Sequence, residues 1–329
     1  MSAGPVTRGL TVGTGPEAEC WQGHPPFLET ERPSLQVQAV LYKTEVEGVQ
    51  RSLDSLARSA ELATLPDGRR VEVSVRYGDG SPLRVLEGDQ VEDLQERYRG
   101  ILTIDYQHFG DNLGSARGHN TLADGSEAGF IMTLNPDVVV APRTINHLLS
   151  PFARTGVGMT EAKQLPIEHP KDYDRTTGDT AWAATACAVF PRVLFEEIGG
   201  FDAETFFMYC DDVDFSWSVR LRGLRVVHQP AAVVFHDKRL GLQGNWQPTS
   251  AERYYSAEAA LLLMHKWSRE ELALAALADF EAAEDDHYRR AAAEFRRRRD
   301  TGQLPVQVDG DHRVGVFTDG FYAPHRYAL

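Results

Sequence analysis

Apolar and polar positions alternate with two different periods along the first half of the chain. Leu35–Tyr42 alternates and is rich in β-formers, which predicts a strand. Val49, Leu53, Leu56 and Ala60 then recur at helical spacing within Glu47–Leu62. A second strand is expected over Val71–Tyr77, running into the turn Gly78-Asp79-Gly80-Ser81-Pro82. Asp89–Arg99 predicts a helix, Leu102–Tyr106 a strand, Ser115–Leu122 a helix and Phe130–Leu134 a short apolar strand ending on Asn135-Pro136-Asp137. Strands alternating with helices imply βαβ units and an α/β fold on a mainly parallel sheet. Such sheets bind ligands at the carboxyl ends of their strands, where the polar clusters Tyr42–Thr44, Asp79 and Asn135–Asp137 fall.

The second half is less regular. Residues 160–182 are polar and contain prolines, and read as a long binding loop or lid. An apolar stretch, Ala183–Phe190, and a short helix, Arg192–Ile198, follow. From Ser256 to Asp300 the chain reads as helical, and the tail Leu304–Leu329 returns to β-like alternation. Three units result: an N-terminal extension (1–34), a ligand-binding and catalytic domain (35–245) and a C-terminal helical extension with its tail (246–329).

Composition adds exclusions more than identity. The 329 residues are 42% hydrophobic and 25% charged, as in ordinary globular proteins. No apolar run reaches the roughly 18–20 residues of a membrane span, and Met1–Arg32 lacks the basic-then-apolar build of a secretory signal. Cys20, Cys187 and Cys210 show no zinc spacing and cannot all pair, which suits a reducing, cytoplasmic setting. A net charge of −14 argues against nucleic acid as partner. The local exception, Arg296–Arg299, reads either as a solvated helix end or as a contact for anionic lipid or a phosphorylated carrier at the inner membrane face. Tyr254–Trp267 is apolar on more than one face and packs against the core, a second copy in a homodimer, or a lipid-linked acceptor.

Three constellations can carry chemistry. A carboxylate in Asn135-Pro136-Asp137 at a strand end can hold a divalent cation that also grips a diphosphate, although the tripeptide is equally a turn. In Phe206–Gly223, Asp211 and Asp212 stand where a helix begins. Capping and the helix dipole account for one aspartate, not for three in four positions after the bulky run Phe206–Tyr209. A desolvated aspartate there would have a raised pKa and be a better proton acceptor. Finally, His236 ends the apolar run Ala231–Phe235 as a core histidine or a ligand.

Together and in this order the segments resemble family 2 of the nucleotide-sugar glycosyltransferases, with a flavour of its rhamnosyl- and galactofuranosyl-transferases. The resemblance runs from about Gln36 to Lys238. Its carriers are Leu134–Val138, Gly199-Gly200-Phe201-Asp202, Phe206–Arg220, and Gly110–Asn120, which is similar to the family's Asn-x-Gly segment. It implies a GT-A fold, a mainly parallel mixed sheet flanked by helices, and inverting transfer of a hexosyl or deoxyhexosyl group from a UDP- or dTDP-sugar to a glycan or lipid-linked glycan in cell-surface polysaccharide synthesis. By the same resemblance Asp137 and His236 are metal ligands for Mn²⁺ or Mg²⁺, and Asp212, paired with Asp211, is the base. Tyr42, Thr44, Asp79, Asn112, Gly114, Arg117 and Asn135 then bind the nucleotide-sugar, and Trp182, Thr185, Ala186 and Cys187 line the sugar and acceptor side.

Two departures stand out. Gly78-Asp79-Gly80-Ser81 has one carboxylate where many relatives have two, and Thr185 stands where a glycine often precedes the Ala-Cys pair. Competing classes are a non-catalytic carbohydrate- or nucleotide-binding protein on the same fold, a sugar nucleotidyltransferase, which would want a Gly-rich basic loop where Tyr42-Lys43-Thr44 stands, and a glycoside hydrolase, whose carboxylates must flank the scissile bond.

Overall fold

The computed structural model describes residues 33–169, 171–236, 248–318 and 320–322. The expected N-terminal extension (but for its last two residues), Cys20, the 245/246 boundary and the end of the tail lie outside the described residues.

The first half follows its periodicity. Strand β1 (Ser34–Leu41), helix α1 (Val46–Glu61), β2 (Glu72–Asp79), α2 (Gly88–Arg97), β3 (Thr103–His108), α3 (Gly114–Ala123) and β4 (Phe130–Leu134) alternate as predicted. Short β5 (Val138–Val140) and α4 (Thr144–Leu149) follow. β6 (Val157–Leu165), β7 (Asp179–Thr180), β8 (Cys187–Pro191), α5 (Arg192–Ile198), α6 (Asp211–Leu221) and β9 (Arg225–His236) complete the sheet region. Helices α7 (Ser250–Lys266), α8 (Glu270–Ala282) and α9 (Asp286–Asp300) form the C-terminal layer.

The described strands form one sheet in the order β3-β2-β1-β4-β8-β6-β9-β5, with β7 beside β9. The four strands β3-β2-β1-β4 are mutually parallel. β8 then runs antiparallel to both β4 and β6, and β6 returns parallel to β9. The centre of the sheet is covered on both faces, so β1, β4 and β8 are almost wholly buried. α1 buries Val49, Leu53, Leu56 and Ala60 as its spacing demands, and Ser52 Oγ donates to Val138 O (2.7 Å), which fastens β5 to it.

Two expectations are corrected. Residues 160–165 belong to β6, so the irregular segment is shorter than expected; Glu161 and Gln164 are polar yet buried, which disguised the strand. The described part of the tail forms no strand, only an isolated bridge between Thr318 and Phe321. Its aromatic residues instead cover apolar surface: Phe317 lies 5.1 Å from Trp217, and Tyr322 5.3 Å from Trp182.

Helices α7–α9 share one hydrophobic cluster with Trp182, Phe206, Cys210, Val213 and Trp217. Trp217 and Trp267 meet edge to face at 5.2 Å. This explains the apolar residues around α7, since Leu261, Leu262, Leu263 and Met264 are all buried within the chain. An ionic clamp ties the same layer down. Lys266 Nζ reaches Asp202 (2.7 Å) and Asp214 (2.8 Å), and Trp267 Nε1 donates to Asp214 (2.9 Å). Burial works against the Lys266 ammonium, but the two carboxylates outweigh it and raise its pKa. Asp214 is thus the structural member of the three aspartates in α6.

The arginine run at the end of α9 is largely neutralised. Arg296 pairs with Glu281, Arg297 with Glu294, and Arg298 with Glu258 and Glu294. No helix among the described residues is long and apolar enough to cross a membrane.

Candidate active site

The strand ends converge as the parallel sheet requires. β1 ends beside β2, and beyond them Lys43 N donates to Ser81 Oγ (2.7 Å) and Gly80 N to Leu41 O (2.9 Å). Asp79 is fully buried at the end of β2. Its carboxylate accepts from Ser81 N (2.9 Å), Val85 N (2.7 Å) and the Tyr106 hydroxyl. Burial would raise its pKa, but these donors outweigh it and hold the carboxyl below its usual value. Asp79 therefore fastens the loop after β2. Tyr42 and Asn112 are exposed, and Thr44 is half-buried, its hydroxyl accepting from Tyr42 N. Arg117 pairs at the surface with Glu204 (2.6 Å).

Gly114 opens α3 in the left-handed region (φ +72°), and a Cβ there would sit 2.2 Å from Phe207 O. That close approach lets Ser115 N donate to Phe207 O (2.9 Å) and Ser115 Oγ to Asp211 Oδ2 (2.9 Å). The Asn-x-Gly segment is thereby bound to the start of α6. Asn120 pins the Gly200-Phe201 turn from the same helix, its amide bonding both Phe201 N and Phe201 O.

Tyr209 (φ 67°) and Cys210 (φ 58°) are two consecutive left-handed non-glycine residues immediately before Asp211. Such backbone stores of order 1–3 kcal/mol per residue and survives only where the surroundings over-determine it. It turns the chain sharply enough to bury Asp211 while leaving Asp212 half-buried at the helix start. Desolvation, then the neighbouring charge of Asp212, push Asp211 up to about 7, against the hydrogen bond from Ser115.

Asn135 N donates to Ala186 O (2.9 Å), which moors the loop after β4 to the segment before β8. Next to it, Asp137 Oδ1 lies 3.3 Å from His236 Nε2. His236 Nδ1 donates to Gln164 Oε1 (2.7 Å), because an amide oxygen can only accept. The Nε2 lone pair is thereby aimed at Asp137. Two ligands about 2.1 Å from one cation and roughly at right angles to each other stand about 3 Å apart, so the pair fits a shared divalent ion. Among the described residues no group of three or more His, Cys, Asp or Glu side chains could hold a metal. Such an ion would need phosphate and water oxygens to complete its shell, as magnesium and manganese sites commonly do.

The segment 182–187 joins the two halves of the site. Ala183 N donates to Ser216 Oγ (3.0 Å), which donates in turn to Asp212 O (2.7 Å). Trp182, Ala186 and Cys187 are buried, and burial pushes the Cys187 thiol up. Thr185 is half-buried and offers more surface than these three. Sequence reasoning missed Ser115, Gln164 and Glu161. Ser115 sat inside a segment already singled out, whereas a polar residue at a buried strand position carries no sequence mark.

No family model matches the sequence. Over 94 residues the chain is 39% identical to an N-acetylglucosaminyl-diphospho-decaprenol L-rhamnosyltransferase of Mycobacterium tuberculosis, which is 29% of this chain and 28% of that protein. The chain spans 39% or less of the length of the curated relatives it matches. Its structure superposes on that of GalNAc-T7 with UDP, GalNAc and Mn²⁺ with TM-score 0.57 and 14% identity, over 83% of this chain and 55% of that one. The mannosyltransferase PcManGT from Pyrobaculum calidifontis, in complex with GDP-Man and Mn²⁺, matches with TM-score 0.50 and 19% identity over 87% and 86%. The chain has the GT-A glycosyltransferase fold. Within that fold, the Asp137–His236 pair stands just past the end of β4 and at the end of β9, and Asp211-Asp212 open α6.

Proposed function

We propose that the protein is a metal-dependent, inverting glycosyltransferase that moves a hexosyl or deoxyhexosyl group from a UDP- or dTDP-sugar to an acceptor hydroxyl of a glycan or lipid-linked glycan. The observation that carries this reading is the pairing of Asp137 with His236 at 3.3 Å beside a segment, 182–187, that also holds the Asp211-Asp212 helix start. The solved structures it resembles, GalNAc-T7 and PcManGT, contain a nucleotide or nucleotide-sugar with Mn²⁺, and the rhamnosyltransferase match favours a deoxyhexose and a polyprenyl-linked acceptor.

Asp137 and His236 hold the divalent cation, with Asn135 and the loops at Tyr42–Thr44 and Asn112–Arg117 around the nucleotide. A bound cation supplies Lewis-acid stabilisation of the negative charge on the departing diphosphate. Asp212, more accessible than Asp211, takes the acceptor hydroxyl's proton as that oxygen attacks the anomeric carbon. The bond from that carbon to the diphosphate oxygen breaks, and its electron pair leaves with the nucleotide. A positioned base contributes about 10²–10⁴-fold. Asp211, held protonated by burial and by the neighbouring charge of Asp212, keeps a second negative charge away from the departing diphosphate. We place the enzyme in cell-surface polysaccharide synthesis, on the cytoplasmic side.

Calorimetric titration of UDP and dTDP in Mn²⁺, Mg²⁺ or chelator tests the metal reading. Binding of one diphosphate that disappears with chelator and in Asp137→Ala is expected. No binding under any metal condition would sink the transferase reading. Asp212→Asn is expected to retain donor binding and lose transfer by at least 100-fold or so.

A further inference from the structure

The two halves of the site are set by one strand, β6, through two buried polar side chains. Alternate residues of a strand face opposite sides, so Glu161 and Gln164, three apart, point opposite ways. Gln164 lies 1% exposed beside the end of β9 and accepts from His236 Nδ1 at 2.7 Å. Its own backbone N–H donates to Glu168 Oε2 (2.7 Å), from the loop that follows the strand. Glu161 is wholly buried and faces the other way. It accepts from Ala184 N (2.6 Å), from Lys171 Nζ (2.7 Å to each oxygen) and from His228 Nδ1 (3.0 Å). The Lys171 side chain is 3% exposed, and its ammonium also lies 3.8 Å over the Trp182 ring.

A buried ion cluster of this kind is weak evidence for stability, because desolvation offsets much of the attraction. What it fixes is geometry. Glu161 holds Ala184; Ala183 holds Ser216; and Ser216 holds the backbone carbonyl of Asp212. We propose that Glu161 and Gln164 are positioning residues that register the metal-binding half against the proton-accepting half, Gln164 by fixing the tautomer of His236 and Glu161 by fixing the segment against which α6 starts. The register between β6 and β9 supports this. It jumps from Ala162/Gln229 to Lys163/Val233, so three residues of β9 bulge out between the position opposite Glu161 and the stretch opposite Gln164. Bulges of this kind re-aim side chains near active sites.

This inference rests on the metal-dependent transferase reading, and the test separates the two. Mn²⁺ affinity in the presence of UDP is measured for wild type, Gln164→Leu and Gln164→Glu, with thermal melts alongside. Groups that orient a metal-ligating histidine are worth about 10–100-fold in metal affinity, so Gln164→Leu should weaken Mn²⁺ by that factor and Gln164→Glu, which keeps an acceptor oxygen, should restore it. The double variant Glu161→Gln/Lys171→Met avoids stranding a buried charge. It should keep Mn²⁺–UDP affinity within about 2-fold while kcat falls by roughly 10–100-fold, the scale of a small misplacement of reacting groups. If wild type binds Mn²⁺ and UDP but Gln164→Leu binds them equally well, the positioning role is wrong. Loss of affinity and kcat together in both variants, without rescue by Gln164→Glu, would reduce the cluster to a structural one and overturn it too. If wild type binds no Mn²⁺, the metal reading itself fails, and this inference falls with it.

Discussion

Asp211 makes the native state pH-sensitive in a direction opposite to an ordinary salt-bridged carboxylate. Its pKa rises from 3.8 to about 7 through burial and the neighbouring Asp212 charge. Between those values the native state keeps a proton that the unfolded chain has released. Stability therefore falls as pH rises from about 4 to about 7, and is lowest above that window. A rise of this size is worth on the order of a few kcal/mol above that window, a large share of the roughly 5–15 kcal/mol of a typical domain. Asp211→Asn keeps the shape and the acceptor for Ser115 Oγ while removing the titrating charge. Denaturant unfolding at pH 5 and pH 8 should find the variant's advantage over wild type larger at pH 8 than at pH 5, by roughly 2–3 kcal/mol. Equal stabilities at both pH values would refute the account of a carboxyl buried at the expense of stability. A variant that is stabilised yet slower in transfer would place the aspartate among groups retained for function.

Three other outcomes follow from the packing. Lys266→Met removes the cation between Asp202 and Asp214, stranding two carboxylates, and should destabilise by about 3–5 kcal/mol in chemical denaturation at pH 7; the loss should shrink in acid as the carboxylates are protonated. Gly114→Ala sets a Cβ against Phe207 O at a positive φ, and should lower the melting midpoint and weaken UDP binding, read by calorimetry. Expression of a chain cut after residue 236 should give aggregated or dye-binding protein, because Trp217, Phe206 and Val213 lose the layer that covers them.

Much of this was legible in the residues before any coordinates. Glu47–Leu62 buries one face at helical spacing, and Leu35–Tyr42 is β-rich and apolar enough to be covered on both faces at the centre of the sheet. The start of α6 at Asp211 followed from its acidic first turn, and the polar clusters Tyr42–Thr44, Asp79 and Asn135–Asp137 do fall at the ends of β1, β2 and β4. The division of labour among three nearby aspartates was not legible. Asp211, Asp212 and Asp214 are the same residue type within one turn of helix, and only their distant partners, Ser115 for one and Lys266 with Trp267 for another, tell them apart. Glu161 and Gln164 stayed hidden for the converse reason. A buried polar side chain breaks the apolar rhythm of a strand, and β6 was read as loop because hydrophobicity is local whereas the partners that make such burial tolerable lie 10, 67 and 72 residues away. Local sequence thus determined the elements and the strand ends at which the polar clusters gather. The tertiary structure decided which polar groups are desolvated, paired and aimed, because those free energies depend on neighbours that the chain brings together only on folding.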